Sequence, residues 1–158
     1  MFPVRLLQLI EAHADNLSEG LAHKVRTSDR CKHFLQLVPA DEMRSRGYEI
    51  YRHLGDWLTS KTESEIEERY VGIGRRRALQ GVPYSEFLWA ITLTKEFLWE
   101  YLEREGLLEE PVELFGEMEL LHILERFFEC ALYYAAVGYE SARAEMEERP
   151  LPRIVARR

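Results

Sequence analysis

The sequence has few cysteines and no long apolar run, and its negative charges outnumber its positive charges. Cys31 and Cys130 are the only two cysteines, and no paired spacing links them to a zinc site or a redox motif. We interpret them as two thiols, one of them buried. No apolar run approaches the roughly 20 residues that a membrane-spanning helix needs. With 21 Lys and Arg against 28 Asp and Glu, the net charge of −7 disfavours binding to nucleic acid or to anionic membranes.

The N-terminus also lacks the features of a secretion signal. Its apolar patch, residues 1–10, is too short for a signal peptide, and no small-residue cleavage site precedes the first acidic residues. We therefore expect the protein to reside in the cytoplasm.

Strand-like alternation, internal repeats and low-complexity segments are missing too. What is present is helical periodicity in a chain of 158 residues, of which 46% are apolar and 31% charged. This length is enough for one domain with one core. The sequence therefore predicts an all-α, single-domain bundle of about five principal helices, with a long C-terminal helix.

The first three helices are predicted from periodicity and capping. Apolar residues at steps of three and four predict helices over residues 3–27 and 39–58. A capping box at residues 62–65 starts the third helix, because its Thr and Glu can satisfy each other's free backbone N–H groups. Gly72 and Gly74 lie inside this helix, where each costs about 1 kcal/mol relative to Ala. They indicate a close backbone approach or a local bend.

The segment 80–83 predicts a sharp stop and restart between the third and fourth helices. Gly81 suits the end of the third helix, because glycine adopts the left-handed conformation cheaply. The preceding cations, Arg75–Arg77, complement the helix dipole there. Pro83 suits the first turn of the next helix, where its missing N–H costs nothing. The short link predicts that the two helices are antiparallel neighbours.

The fourth helix, predicted over residues 83–102, has apolar side chains in nearly every direction around its axis. Such a helix is either central or covered by a partner subunit. Its apolar perimeter exceeds what we expect a five-helix monomer to cover. We therefore predict a homodimer, with Trp89, Leu93 and Phe97 as candidates for the interface.

The fifth helix, predicted over residues 112–147, carries a charged strip opposite its apolar face. The strip contains Glu119, His122, Arg126 and Glu129. Glu119 and His122 have the Glu-x-x-His spacing of di-iron bundles, but the sequence has no second unit of this kind. A solvated strip of ion pairs is therefore favoured over a metal site.

Motifs for catalysis and for cofactors are weak. No serine lies in a glycine elbow, and residues 72–75 lack the strand and the third glycine of a dinucleotide site. The five histidines include no local haem-binding motif. We predict a non-enzymatic protein without a cofactor or metal. A receptor for an apolar small molecule, such as haem or a lipid, stays open as the alternative. Its pocket candidates lie between the fourth and fifth helices: Phe87, Ile91, Phe127 and Tyr134.

Basic residues are the remaining candidates for function. Two pairs of arginines are candidates for binding a protein partner: Arg75 and Arg76 in the third helix, and Arg149 and Arg153 near the C-terminus. For the helical pair, the simpler interpretation is a solvated face paired with Glu67 and Glu68. For the basic segment 150–158 it is a disordered end.

Residues 74–90, Gly-Arg-Arg-Arg-Ala-Leu-Gln-Gly-Val-Pro-Tyr-Ser-Glu-Phe-Leu-Trp-Ala, carry a family resemblance, together with Phe-Leu-Trp at 97–99. This pattern resembles the helical N-terminal domains of RsbR-type and RsbRD-type bacterial signalling proteins, the co-antagonists of the RsbT kinase. Residues 9–15 and the helix start at 39–43 are similar too. The resemblance covers most of the chain.

The resemblance implies a sensory or regulatory domain of bacterial stress-response signalling. Such domains are in some relatives folded like a globin without haem, are often dimeric, and are usually fused to an output module. No strand-rich STAS-type segment follows residue 150 in this sequence, so no phosphorylated Ser or Thr is transferred from that module. We expect a helical sensor domain at 1–149 and a basic tail at 150–158. The domain is expected to act through protein contacts and to sense by helix rearrangement.

Overall fold

A computed structural model describes residues 4–104 and 111–148, with side chains over 5–104 and 118–148. These residues form eight α-helices, a 3₁₀ turn at Asp29–Cys31 and no strand, which confirms the all-α prediction. The helices are α1 (Val4–Ala12), α2 (Ala14–Thr27), α3 (Phe34–Leu37), α4 (Ala40–Arg52), α5 (Leu54–Thr59), α6 (Glu63–Leu79), α7 (Tyr84–Arg104) and α8 (Pro111–Glu148).

Two of the five predicted helices are broken by a histidine. His13 separates α1 from α2, and His53 separates α4 from α5. Both histidines lie in the bridge region of backbone space, with φ, ψ of −105°, 18° and −114°, 22°. Each break involves only one residue, and the apolar residues before and after it keep the same helical spacing. The periodicity of the sequence therefore does not reveal it. The breaks let α1 pack against α5 as well as α4, while α2 packs along α4 and α7.

Helix α7 lies at the centre of the described fold. It packs against α2, the 3₁₀ turn and α8, and Tyr51 of α4 donates a hydrogen bond to the carbonyl of Thr94 at 3.1 Å. Only its polar positions are exposed: Ser85, Glu100, Glu103 and Arg104. Of the two arrangements that the sequence left open, a central helix or one covered by a partner subunit, the fold has the central position. The chain's own helices cover much of its apolar perimeter, and Leu88, Trp89, Ile91, Phe97 and Trp99 remain half-buried.

The turn between α6 and α7 has the predicted geometry. Gly81 adopts a φ of +76°, and its N–H donates to the carbonyl of Ala78 at 3.0 Å. The N–H of Val82 reaches back to Arg77 at 3.1 Å, which completes a Schellman motif. The predicted antiparallel packing of the two helices is wrong, however. Within the described residues α6 packs mainly along α8, and α7 turns away toward α2.

Helices α6 and α8 run parallel and approach each other at two glycines. A Cβ built on Gly74 would lie 2.0 Å from the carbonyl oxygen of Ala135. A Cβ built on Gly138 would lie 2.1 Å from the carbonyl oxygen of Val71. No side chain fits at either position, so the two backbones touch directly. The predicted close approach is confirmed for Gly74 but not for Gly72, which has no atom within 4 Å of the same built Cβ.

Tyr139 joins this helix pair to the turn. Its ring stacks against Phe87 with centroids 5.9 Å apart, and its hydroxyl donates to the carbonyl of Val82 at 2.5 Å. One tyrosine of α8 therefore holds the link between α6 and α7. None of the helices in the described ranges has the length and apolarity to span a bilayer. Of the two free thiols, Cys31 is buried and Cys130 is half-buried.

Candidate functional site

The arginines of α6 are the most strongly organised charged group in the described part of the chain. Arg76 donates to Glu42 of α4 through Nε at 2.5 Å and through Nη2 at 3.0 Å. Arg77 donates to the same carboxylate at 2.6 Å, and Gln80 donates to it at 3.1 Å. Glu42 therefore accepts four hydrogen bonds from α6 and its C-terminal cap.

Electrostatics at this contact follow from burial and pairing. The hydrogen bonds from Arg76, with further help from Arg77 and Gln80, lower the pKa of Glu42 to about 2 against the opposing effect of burial. The side chain of Arg77 is only 3% exposed. Burial lowers the pKa of Arg77, and its hydrogen bond to Glu42 partly restores it. A buried guanidinium of this kind is stable only while its carboxylate partner stays ionised.

A second contact of the same kind lies two helical turns away. Arg69 of α6 pairs with Glu49 of α4, and Arg46 approaches the same carboxylate at 3.9 Å. Glu42 and Glu49 are seven residues apart on α4, as Arg69 and Arg76 are on α6. The antiparallel order of the two helices brings these pairs together.

Between the two contacts lies an open groove of about 600 Å³. Three arginines, two glutamates and three other polar or aromatic residues line it: Glu42, Ser45, Arg46, Tyr48, Glu49, His53, Arg69 and Arg76. We call this feature the α4–α6 groove. Its lining offers hydrogen-bond donors and charge rather than an apolar surface.

Arg75 points away from this groove. It forms a two-fold hydrogen bond with Glu145 of α8, at 3.1 and 2.6 Å. The arginines of α6 thus pair with α4 on one side and with α8 on the other. The expected pairing with Glu67 and Glu68 is wrong, because the crossing of neighbouring helices brings other acids closer.

The four pocket candidates do not converge on one cavity. Phe87 packs against Tyr139, whereas Phe127 packs against Trp57 and Tyr70 of α5 and α6. Positions 127 and 139 of α8 lie about 18 Å apart along the helix axis. Ile91 is a partly buried neighbour of the core. The hydroxyl of Tyr134 donates to Glu63 at 2.8 Å, on the α6 side of α8.

Phe127 does line a smaller groove between α5, α6 and α8. Its volume is about 190 Å³, and its lining includes Trp57, Ile66 and Cys130. Typical small-molecule sites have about 300–1,000 Å³. This groove is therefore too small for haem.

The three dimer-interface candidates make contacts inside the chain. Leu93 is 4% exposed and belongs to the core. Trp89 is half-buried beneath the guanidinium of Arg30, 4.2 Å from its ring centroid. The half-buried ring of Phe97 fills the space above Gly20, where a built Cβ would lie 2.5 Å from its tip. Among the three, Trp89 and Phe97 retain exposed surface.

The charged strip of α8 is solvated, as predicted. Glu119, His122, Arg126 and Glu129 are all exposed. Across the described ranges, no three His, Cys, Asp or Glu side chains are grouped so that they could hold a metal ion. The other two arginine candidates, Arg149 and Arg153, lie outside the described residues, as does the basic tail.

Sequence reasoning missed Glu42, Glu49, Arg46 and Arg69. The signal was present as acids and bases spaced by seven residues on α4 and α6. Pairing them, however, required knowing that the two helices are neighbours. Sequence reasoning also missed Glu86, a buried carboxylate that accepts the backbone N–H of His33 at 2.6 Å and contacts its ring Nδ1 at 2.9 Å.

Comparison with known proteins gives one family match. The model of the family described as the RsbT co-antagonist protein rsbRD N-terminal domain matches residues 10–151. No curated protein matches the chain, and no solved structure matches it. The globin-like order of helices therefore stays a prediction.

Proposed function

The chain belongs to the family of RsbT co-antagonist protein rsbRD N-terminal domains, and we propose on this premise that it is a non-enzymatic regulatory domain acting through protein contacts. The family assigns the domain to bacterial stress signalling. The proposal adds that a signal rearranges the helices and that a protein of the RsbT pathway responds. We also propose that the domain works in the cytoplasm, where that pathway operates.

The backbone crossing of α6 and α8 supports this proposal most directly. Gly74 and Gly138 bring the two helices together without side chains between them, so a displacement of α6 is passed to α8. Close-packed elements have few alternative arrangements, and a ligand or partner that prefers one of them shifts the population. Helix α8 continues to Glu148, near the C-terminal end of the matched family region. We propose that α8 is the output element.

Removal of the basic segment tests where the partner binds. A chain truncated at Pro150 is expected to keep the helical content and unfolding midpoint of the full chain but to lose capture of the host's RsbT kinase or RsbR-type co-antagonists. Substitution of Arg149 and Arg153 by Gln is expected to give the same loss. Unchanged capture by the truncated chain would remove the tail from the mechanism. Absence of capture by the full chain would contradict partner binding itself.

We further propose a homodimer, on the basis of the family resemblance. Trp89 and Phe97 are the interface candidates that keep exposed surface, and Leu93 supports them from the core. Light scattering at micromolar concentration is expected to give twice the chain mass of 18.7 kDa. A monomeric mass would contradict the proposal, and a dimer that persists in the double variant Trp89→Ser, Phe97→Ser would place the interface elsewhere.

The receptor alternative has one supporting feature, the groove at Phe127. A small apolar molecule bound there would contact α5, α6 and α8 together. Native mass spectrometry distinguishes the two proposals, because a receptor carries an additional bound mass and an interaction module does not. Loss of that mass in Phe127→Ala, but not in Phe87→Ala, would assign it to this groove.

A further inference from the structure

We infer that the α4–α6 groove is a binding site for a small dianionic oxyanion, such as a phosphate group or a dicarboxylate. Such a ligand would act as a signal for the regulatory domain proposed above, and its biological role rests on that proposal. The binding itself is measured on the isolated chain. A negative result in the binding measurement would therefore leave the proposal of partner capture unchanged.

The α4–α6 groove has more positive than negative charge. Glu42 is shared by Arg76 and Arg77, and Glu49 is shared by Arg46 and Arg69. Four guanidinium groups thus share two carboxylates, so the cluster has an excess of two positive charges. Arg46, Arg69 and Arg76 line the groove, whereas Arg77 is buried and does not. This local excess of positive charge occurs in a chain whose net charge is −7. A dianion would complete the pairing.

The donors at the groove are suited to an oxyanion. A guanidinium presents its N–H groups in a planar fork that matches the oxygens of a phosphate or carboxylate. Arg46 and Arg69 each keep 32% of the side-chain surface exposed, and Arg76 keeps 55%. Arg46 reaches its carboxylate only at 3.9 Å, beyond ordinary hydrogen-bond distance. Its donors are therefore available to a ligand. Ser45 and Tyr48 add hydroxyl groups to the lining.

The groove lies where two helices of the fold meet. Helices α4 and α6 are joined by ion pairs at two levels, Glu42 with Arg76 and Glu49 with Arg69. An oxyanion that binds Arg46 of α4 together with Arg69 and Arg76 of α6 would tighten this contact. Because Gly74 of α6 touches the backbone of α8, the effect would reach the proposed output helix. This arrangement gives the ligand a way to bias helix positions.

Thermal unfolding at constant ionic strength tests the site. The chain is titrated separately with inorganic phosphate and with succinate, and NaCl holds the ionic strength fixed. At least one of the two anions is expected to raise the unfolding midpoint saturably, by about 3–5 °C at tenfold its dissociation constant. A midpoint raised by succinate but not by phosphate would identify a dicarboxylate site. A midpoint raised by phosphate but not by succinate would identify a phosphate site. Equal midpoints in phosphate, succinate and NaCl would overturn the inference.

Variants locate the effect. Arg46→Gln is expected to weaken anion binding at least tenfold and to keep the fold, because its ion pair is long. Arg69→Gln is expected to abolish the shift. Arg75→Gln is the matched control, since Arg75 is also on α6 but pairs with α8 outside the groove. An anion-dependent shift that persists unchanged in Arg46→Gln and Arg69→Gln would overturn the site.

Amide chemical shifts of the unaltered chain give a readout that needs no variant. Phosphate or succinate is expected to perturb amides near residues 42–53 and 69–76, in proportion to the thermal effect. Perturbations confined to other helices would contradict the assignment.

Discussion

At the residue scale, the contacts between helices depend on particular glycine and glutamate positions. Gly74 and Gly138 allow α6 and α8 to pack with their backbones in contact, and Glu42 joins α4 to the C-terminal end of α6. In the sequence, Gly74 is unfavourable inside its helix, which indicated a close backbone approach or a local bend. The sequence could not distinguish Gly74 from Gly72, because the two differ only in what lies opposite them in space.

Replacement of Gly74 by Ala is expected to destabilise the fold by about 1–3 kcal/mol or more, as overpacking does. The new methyl group would meet the carbonyl of Ala135 at 2.0 Å, and backbone atoms cannot move aside as a flexible side chain can. Urea unfolding measures the change. Gly72→Ala is the matched control and is expected to stabilise by about 0.5–1 kcal/mol, since its site is open. Equal stability of the two variants would contradict the close crossing.

Replacement of Glu42 by Gln is expected to cost about 1–3 kcal/mol at pH 7, the range for hydrogen bonds to charged groups. The control Glu145→Gln breaks an exposed pair with Arg75 and is expected to cost less than about 1 kcal/mol. Urea unfolding of both variants gives the comparison.

The effect of Glu42 is expected to depend on pH in one direction. The pKa of Glu42 is about 2 in the folded chain and 4.5 for an ordinary glutamate, so its stabilisation is complete above pH 4.5. The stabilisation is lost as pH falls from 4.5 toward 2. The difference in unfolding free energy between the unaltered chain and Glu42→Gln should shrink over this interval. A difference that is constant down to pH 2.5 would contradict the pairing.

At the element scale, the periodicity of the sequence predicted the helical runs but not their breaks or partners. The runs were predictable because apolar residues recur at the helical period, and the cap at Thr62 is confirmed by its hydrogen bonds with Glu65. The partners of α6 were not predictable from the short link, because the link fixes only where the next helix begins. The approach of two glycines 64 positions apart decided the packing instead.

The segment between α2 and α4 is expected to depend on Glu86 of α7. Its carboxylate accepts the backbone N–H of His33 and thereby anchors the start of α3. Burial opposes ionisation of Glu86, but the hydrogen bonds from His33 outweigh it and lower the pKa of Glu86. Cys31 lies beside this anchor, and burial raises the pKa of its thiol to about 11.

Thiol labelling reports on this anchor. In a Cys130→Ser background, Cys31 of the folded chain is expected to react slowly with a disulfide reagent at pH 8, because it is buried and protonated. Addition of Glu86→Ala is expected to accelerate labelling at least tenfold by releasing α3. Glu103→Ala, an exposed position on the same helix, serves as control and is expected to leave the rate unchanged. Equal rates in all three proteins would show that Glu86 does not anchor the segment.

At the scale of the whole molecule, the chain combines a covered central helix with a charged join and a long terminal helix. The all-α class was predictable from helical periodicity along the chain, and the family from the local pattern around Gly81 and Pro83. The surroundings of Phe87, Ile91, Phe127 and Tyr134 were not predictable, because the sequence does not show how α7 and α8 are placed against their neighbours. The α4–α6 groove was not predictable either, because the sequence does not show that α4 and α6 are neighbours.

Hydrogen exchange with the pathway partner tests the central claim, that the domain binds an RsbT-pathway protein and transmits through α6 and α8. The chain is measured alone and with saturating RsbT kinase or RsbR-type co-antagonist of its own host. We expect slower amide exchange in the C-terminal half of α8, accompanied by a change in α6. Exchange that is identical in every peptide, at concentrations where the partner is in excess, would contradict it.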